Sequence, residues 1–410
     1  MYKLYRFFTF IIYPLLKIYL IFRVKKNKEC PKRFYEKLGF SKYNGIKNVI
    51  WFHVASLGEI KSILPFINYY SDTRREDKIL ITSVTLSSKE FFENEISAKN
   101  IFHQFAPLDS PVIVRRFLNN WKPRISIFID SEIWPNLITE ASETSKMILL
   151  NARISKKSFK KWKNLKLVFF QLMKKFSKIL CQNEETFNYL KYFELQNLLY
   201  IGNVKLINTN KESPKHITIH ENVISWSAMS IHFEEVDRII NVHKIINNEK
   251  LFTTFLIPRH LNKIDIILKK IKDQNINVQK ISENSVIKKF NGIILIDKYG
   301  IADDVFNFSK IVFMGGSFIN HGGQNPIEPM KYGCQILHGK YIHNFTEIYN
   351  QYEKNGLSKM VLDQNDLARE ILNLSKQEIN KNASHANKKL GERIFKETKN
   401  VLDEFILNEN

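Results

Sequence analysis

Residues 310–328 read KIVFMGGSFINHGGQNPIE, a pattern that predicts a buried strand, a glycine-rich turn and the start of a helix. Glycine tolerates positive φ and lets the backbone approach a ligand closely. Asn325 is a favourable helix cap and Pro326 suits a first helical turn, so the helix N-terminus would offer free N–H groups to a phosphate. Glu328, in that turn, can accept hydrogen bonds from ribose hydroxyls. The alternative is a loop that needs its glycines only to turn twice.

The same strand-and-helix alternation runs along most of the chain. Short apolar runs separated by stretches of helical length predict the buried strands of parallel sheets. The ten runs are 49–55, 79–85, 125–130, 147–153, 178–183, 223–229, 251–258, 292–297, 310–316 and 335–339. Five lie before and five after a polar stretch at 206–220, which predicts a linker. The sequence therefore predicts an α/β protein of two Rossmann-like domains, with ligands bound at the carboxyl ends of the strands in a cleft between them.

The N-terminal segment predicts a membrane anchor. Residues 7–22 read FFTFIIYPLLKIYLIF, which is shorter than the roughly 20 apolar residues of a spanning helix and contains Pro14 and Lys17. More basic residues follow the run than precede it, which predicts that the remaining chain is cytoplasmic. No small-residue cleavage site follows, so we expect an uncleaved anchor that spans the membrane or lies in its interface. A buried core helix is the alternative.

Residues 155–178 give a second membrane signal, because their lysines and apolar residues have the spacing of a basic amphipathic helix. A core helix with a solvated lysine face fits equally well. We divide the chain into an anchor at 1–25, a first domain at 26–207, a second domain at 215–380 and a terminal helix at 381–410.

The amino-acid composition indicates which classes of binding partner the protein can have. The chain has 62 Lys and Arg against 41 Asp and Glu, a formal charge of +21, which favours polyanionic partners such as anionic lipid or a phosphorylated substrate. Zinc-finger spacing, an RNA-binding aromatic signature and a long basic tail are all lacking, so we expect no nucleic-acid partner. The three cysteines stand far apart, which excludes a disulfide framework or a zinc ribbon.

Several polar residues follow predicted strands. Glu59 follows the first run and is a candidate general base, although an acid at this place also complements a helix N-terminus. Glu132 is a second acid at a strand end, and Lys205, at the domain junction, would stabilise negative charge in the cleft. In the second half, Arg259 follows a strand and would clamp a phosphate, and Gly300 follows the next strand.

Seven segments in order closely resemble the 3-deoxy-D-manno-octulosonic acid (Kdo) transferase family, which builds the inner core of lipopolysaccharide. They are HVASLGE (53–59), SEIWPN (131–136), NARIS (151–155), GNVK (202–205), PRH (258–260), GGSFINHGGQNPIEP (315–329) and GKYIHNF (339–345).

The resemblance implies the GT-B fold and inverting transfer of Kdo from CMP-Kdo to a lipid A precursor (lipid IVA) at the cytoplasmic face of the inner membrane. No metal or cofactor is implied, and CMP is released. Glu59 would be the general base, and Glu132 and Lys205 match positions thought to stabilise the transition state. The residues that would hold CMP are Pro258, Arg259, Tyr299, Gly300, Ile301, Asn325, Pro326, Ile327 and Glu328.

The chain departs from the family pattern in three places. Ile301 stands where an acidic residue is usual, so that contact is made by the backbone alone or is lost. Gln324 stands where His is usual, and Ser230–Phe233 reads SIHF rather than STHE. The alternatives are another GT-B nucleotide-sugar transferase or an epimerase, and a membrane-bound scaffold or nucleic-acid binder that acts only through its basic charge.

Overall fold

The computed structural model describes residues 2–207, 217–219, 224–282, 286–287, 290–376 and 381–407. The chain forms two compact units, one of residues 1–209 with 391–410 and the other of residues 210–390. The predicted linker at 206–220 lies mostly outside the described residues.

The first unit is built on a sheet of seven parallel strands in the order β3-β2-β1-β4-β5-β6-β7. The strands are β1 Val49–His53, β2 Lys78–Ser83, β3 Ile101–Phe105, β4 Ile125–Ile129, β5 Lys146–Ala152, β6 Lys178–Cys181 and β7 Leu198–Tyr200. The helices are α1 Tyr2–Ile11, α2 Tyr13–Lys25, α3 Leu57–Thr73, α4 Leu86–Glu95, α5 Pro111–Trp121, α6 Pro135–Ala141, α7 Lys156–Lys163, α8 Lys166–Met173 and α9 Glu184–Lys191. Every residue of β1 and β4 is buried, as expected for central strands covered by helices on both faces.

The second unit has a second sheet of seven parallel strands, in the order β11-β13-β10-β9-β14-β15-β16, and a two-stranded sheet of β8 and β12. The strands are β8 Thr218–Ile219, β9 Ser225–Ile231, β10 Thr253–Pro258, β11 Val278–Lys280, β12 Val286–Ile287, β13 Gly292–Leu295, β14 Ile311–Met314, β15 Gln335–His338 and β16 Ser358–Met360. The helices are α10 Val236–Glu249, α11 Ile264–Lys272, α12 Ala302–Phe308, α13 Ile327–Lys331, α14 Thr346–Lys354, α15 Gln364–Ser375 and α16 Lys381–Ile406. From Gly391 onward, α16 belongs to the first unit.

All ten predicted strands are confirmed, but β7, β8, β11, β12 and β16 were not predicted, and neither was β3. Its sequence, IFHQF, places His103 and Gln104 in a buried strand. Arg33 and Ser83 contact the His103 ring, and Gln104 accepts a hydrogen bond from the Trp121 indole. Two polar residues can lie in this buried strand because these partners, which are distant in sequence, form hydrogen bonds with them. The strand therefore lacks the local apolar pattern that identifies the predicted strands.

The prediction of one basic amphipathic helix at 155–178 is wrong. The segment forms two helices, α7 and α8, which break at Asn164 and Leu165. Phe169 and Phe176 are buried in the core and Trp162 packs against it. The apolar residues of this segment therefore serve the core of the first unit, as the alternative interpretation proposed.

The N-terminal helices α1 and α2 meet at a 62° bend. Taken singly, none of the helices in the described part of the chain is long and apolar enough to cross a membrane. The pair α1 and α2 together meets that criterion by length and composition.

Gly315, the first residue after β14, is required by a close approach of two chain segments. A Cβ atom at this position would lie 2.3 Å from the carbonyl oxygen of Ser230, which is in β9. Gly316, Gly322 and Gly323 have φ values of +69°, +83° and +71°, a region that favours glycine. All four glycines of the predicted motif therefore have a structural function in the turn.

We expect Gly315→Ala to destabilise the second unit by about 1–3 kcal/mol, because the obstructing atoms are backbone and cannot rotate away. The matched control is Gly58→Ala in α3, where the nearest atom to a new Cβ is the Ser56 hydroxyl oxygen at 4.0 Å. Denaturant unfolding of the two variants and the parent chain measures the difference. Equal stability of Gly315→Ala and the parent would contradict the packing described here.

Candidate functional site

Glu59 lies in the first turn of α3, directly after the buried strand β1, and is 9% exposed. Its carboxylate accepts a hydrogen bond from the Ala55 N–H at 2.7 Å and another from the Ser56 hydroxyl at 2.8 Å. Glu59 therefore interacts with the N-terminal end of α3, as the alternative interpretation of this residue predicted. A carboxylate has about four lone-pair positions, so acceptor capacity remains for a substrate hydroxyl.

Lys205 is held at the end of β4 by an ion pair. Its Nζ lies 2.9 Å from Asp130 Oδ2, and the Asn151 amide donates to the other Asp130 oxygen at 2.5 Å. Asp130 immediately follows β4 and has φ +60°, a conformation in which Asp is enriched among non-glycine residues. Asp130 was not identified from the sequence, although an acid ending a buried apolar run was a usable signal.

Glu132 lies beside His53, the last residue of β1. The two side chains are 3.6 Å apart, from Glu132 Oε2 to His53 Nε2, which is too long for a hydrogen bond. The Trp134 indole donates to Glu132 at 2.7 Å, and the other ring nitrogen of His53 contacts the Thr82 hydroxyl at 2.9 Å. Buried His53 Nε2 has no hydrogen-bond partner in the described part of the chain.

The pKa values of Glu59 and Glu132 are shifted in opposite directions. Burial raises the pKa of Glu59; the bonds from Ala55 and Ser56 oppose this shift, and the charges of Asp130 and Glu132 add to it. Burial alone would also raise the pKa of Glu132, but the His53 and Trp134 contacts lower it overall. Neighbouring carboxyl groups with divergent pKa values suit different roles: Glu59 can take up a proton while Glu132 stays ionised. Glu59, Glu132 and Lys205, with Asp130 and His53, form the first-unit cluster.

A second group of polar side chains lies at the carboxyl ends of β9 and β10. The His232 ring stacks on His321 at a centroid distance of 4.4 Å and meets His260 edge-on at 5.9 Å. Arg259, which precedes His260, has an exposed side chain. The backbone N–H of Arg259 donates to the Ile231 carbonyl. None of the three histidines was identified as a site residue from the sequence, because they come from three separate segments.

Gln324, the residue that departs from the family pattern, contacts this group. Its amide nitrogen is 3.3 Å from His232 Nε2. An amide nitrogen only donates, so the ring nitrogen accepts and His232 is neutral in this contact. Burial, the largest contribution, lowers the pKa of His232 in agreement; the charges of His321, His260 and Arg259 lower it further, and the charge of Glu234 opposes the shift.

Several backbone N–H groups of the glycine-rich turn are bonded within the protein. Buried Glu235 accepts hydrogen bonds from Gly316 at 2.7 Å, from Phe318 at 3.1 Å and from His232 at 3.1 Å. The N–H of Gly315 donates to Met229 and that of Gly323 to Gly316. The turn is thus organised by an internal carboxylate, which sequence inspection missed.

The predicted helix after the turn is short. Asn325 Oδ1 accepts from the Ile327 N–H at 3.1 Å, as expected of a cap. Pro326 immediately precedes α13 rather than occupying its first position, and Ile327 is buried. Glu328 is exposed in the first turn.

The remaining donor-site candidates lie at the end of β10 and in the turn that follows β13. Pro258 is the buried last residue of β10. Tyr299 is 82% exposed, and Gly300 has φ +85° with open space around it. Ile301 is buried in an apolar cluster just before α12, so only its backbone is available to a ligand. Among the described residues, no three His, Cys, Asp or Glu side chains are grouped to hold a metal ion.

Comparison with solved structures identifies the fold class. A UDP-GlcNAc 2-epimerase from Neisseria meningitidis matches with a TM-score of 0.55 and 14% identity, covering 89% of this chain and 100% of that one. A glycosyltransferase from Rickettsia africae matches with a TM-score of 0.53 and 13% identity, covering 90% and 100%. These likenesses confirm the predicted α/β fold of the GT-B class.

Comparison of sequences identifies the family. Residues 32–208 match the family model described as 3-deoxy-D-manno-octulosonic-acid transferase (kdotransferase). A 3-deoxy-D-manno-octulosonic acid transferase from Rickettsia bellii is 30% identical over 99% of this chain and 98% of its own length. One from Aquifex aeolicus is 29% identical over 84% of this chain and 90% of its own length. The chain therefore belongs to the 3-deoxy-D-manno-octulosonic acid transferase family.

Proposed function

We propose that the protein transfers Kdo from CMP-Kdo to a lipid A precursor, lipid IVA, with inversion at the anomeric carbon and release of CMP. The observation that carries the proposal is the buried Glu59 with its raised pKa beside Glu132 and Asp130. It occurs in a chain that matches a Kdo transferase over nearly its full length.

In the proposed reaction, ionised Glu59 accepts the proton of an acceptor hydroxyl while the hydroxyl oxygen attacks the anomeric carbon of Kdo. The bond from that carbon to the CMP phosphate oxygen breaks, and its electron pair leaves with CMP. A single displacement of this kind inverts the anomeric centre. A carboxylate with a raised pKa suits the proton transfer, because it holds the accepted proton more firmly than an ordinary carboxylate does.

Glu132 and Lys205 are assigned to charge stabilisation. Glu132, kept ionised by its contacts with His53 and Trp134, would stabilise positive charge that develops on the sugar. Lys205 would stabilise negative charge on the leaving group or the sugar carboxylate. Its ion pair with Asp130 fixes the position of the ammonium group before substrate binds.

The second unit is assigned to the nucleotide donor. The exposed Arg259 guanidinium would bind the CMP phosphate, since its planar fork matches phosphate geometry. The exposed turn Tyr299–Ile301 and the segment Asn325–Glu328 would contact the cytidine and ribose. No metal or other cofactor takes part in the proposed mechanism.

We place the enzyme at the cytoplasmic face of the inner membrane, with α1 and α2 lying in the interface. Both helices carry large exposed apolar side chains, among them Phe7, Phe8 and Ile18. On the opposite side, Leu20 is buried against Leu38 and Ile113 of the first unit. One packed face and one exposed apolar face are typical of an interfacial helix pair.

The transfer assay tests the proposal. Purified protein, CMP-Kdo and lipid IVA should yield CMP and a heavier lipid. Glu59→Gln should lower kcat by about 10²–10⁴-fold, because the amide cannot accept the proton. Glu90→Gln, an exposed acid in α4, is the matched control and should retain full turnover.

Two results would count against the proposal. A folded Glu59→Gln variant with full turnover would overturn the base assignment. A wild-type protein that ignores CMP-Kdo but turns over another nucleotide sugar, by transfer or by epimerisation, would overturn the donor assignment.

The pH dependence provides a second test. With Glu59 as base, kcat/KM rises with pH as its carboxyl group ionises, so the acid limb reports its pKa. Asp130→Asn removes a negative charge that raises this pKa and frees the Lys205 ammonium, and both changes move the acid limb to lower pH. Asp72→Asn, an exposed acid of α3, should leave the limb in place. An upward shift, or none, in Asp130→Asn would contradict the assignment.

A further inference from the structure

A cavity of about 740 Å³ lies in the first unit between α1 and α5. Its lining includes four basic side chains, Lys3, Arg6, Arg115 and Arg116, together with the aromatic side chains of Phe7 and Phe10. The size is that of a small-molecule site. None of the first-unit cluster lines it, so the proposed chemistry leaves it without a function.

The cavity is strongly positive even after its internal ion pairs are counted. Glu140 binds both Arg6, at 2.5 Å, and Arg115, at 2.8 Å. Arg116 donates to the Leu38 carbonyl and the Tyr13 hydroxyl, neither of which carries a charge at neutral pH. Lys3 has no ion-pair partner among the described residues. Four cations thus face one carboxylate, and the Arg115 side chain remains 59% exposed.

The helix that forms one wall of the cavity is tied to the body of the unit. The Tyr5 hydroxyl donates to Asp109 at 2.8 Å, and the Thr9 hydroxyl accepts from the Asn136 amide at 3.0 Å. A spanning orientation of α1 would break these contacts and the Arg6 ion pair. The cavity wall therefore stays on the protein surface when α1 meets a membrane.

The apolar part of the lining continues into the exposed face of α1. Phe7 is 62% and Phe10 56% exposed, and Leu4, Phe8 and Ile11 extend the apolar surface. Basic groups bordering exposed aromatic side chains match an anionic lipid, whose phosphate is attached to acyl chains. Arginine forks are well suited to the phosphate oxygens.

We propose that this cavity binds the phosphate headgroup of an anionic membrane phospholipid, whose acyl chains lie against Phe7 and Phe10. The site rests on the membrane location proposed above and adds lipid charge as a requirement for docking. A bulk phospholipid is favoured over the glycolipid acceptor because the acceptor must reach Glu59, and the cavity lining is separate from the first-unit cluster.

Sedimentation with vesicles tests this proposal without any transfer reaction. One vesicle type contains phosphatidylcholine alone, and the other contains equal parts of phosphatidylcholine and phosphatidylglycerol. The double variant Lys3→Gln with Arg115→Gln should bind the anionic vesicles about 30-fold more weakly than the parent, from about five-fold per basic group. The control, Lys99→Gln with Lys146→Gln, removes the same charge from exposed lysines just before β3 and at the start of β5, and should change binding little.

Equal losses in the two double variants would overturn the site, since net charge alone would then explain binding. A raised KM for lipid IVA in neutral detergent, seen only in the Lys3 and Arg115 variant, would show that the acceptor occupies the cavity and would also overturn it. Glu59→Gln should bind both vesicle types like the parent. The vesicle-binding result can therefore be interpreted even if the transfer assay shows no activity.

Discussion

Hydrogen bonding of β1 to β2 on one side and to β4 on the other determines where the polar groups of the first unit meet. The chain leaves β1 through α3 toward β2 but returns later to place β4 on the opposite side, so the strand order reverses between β1 and β4. At such a switch point the loops diverge and open a crevice at the carboxyl ends of the strands. Glu59 and His53 come from the end of β1, and Asp130 and Glu132 from the end of β4. Because neither strand contributes a full site, the register of this one pairing controls the spacing of the cluster.

The second unit repeats the arrangement with different side chains. Its strand order reverses between β9 and β14, and these strands end at His232 and at the glycine-rich turn. In the second unit, the polar groups at the crevice are hydrogen-bond donors and histidine ring nitrogens rather than paired carboxyl groups. Buried Glu235 links the two strand ends by accepting N–H groups from both, and burial raises the pKa of that carboxyl group against the effect of those bonds. The contrast between the units fits a division between acceptor activation and nucleotide binding.

Sequence reasoning succeeded where the information is local. Apolar runs predicted ten strands that the structure contains, and Glu59 and Glu132 stand shortly after two of them. It failed where a partner is distant. The ion pair of Lys205 with Asp130 joins residues 75 positions apart, and Glu235 binds N–H groups 81 and 83 positions away. The glycine motif was found, but its glycines proved to satisfy backbone conformation and close packing. The segment 155–178 forms two helices, and its apolar residues pack in or against the core of the first unit.

In the proposed mechanism, the residues gathered at the β1–β4 switch point act as one catalytic unit. A double-mutant cycle on the rate of Kdo transfer tests it most directly, with Glu59→Gln, Lys205→Met and the combination of both. The effects of residues that act as a unit are strongly non-additive, so we expect the double variant to lose little more activity than the worse single variant. Losses that multiply would show that Glu59 and Lys205 act independently, which would contradict a shared catalytic unit.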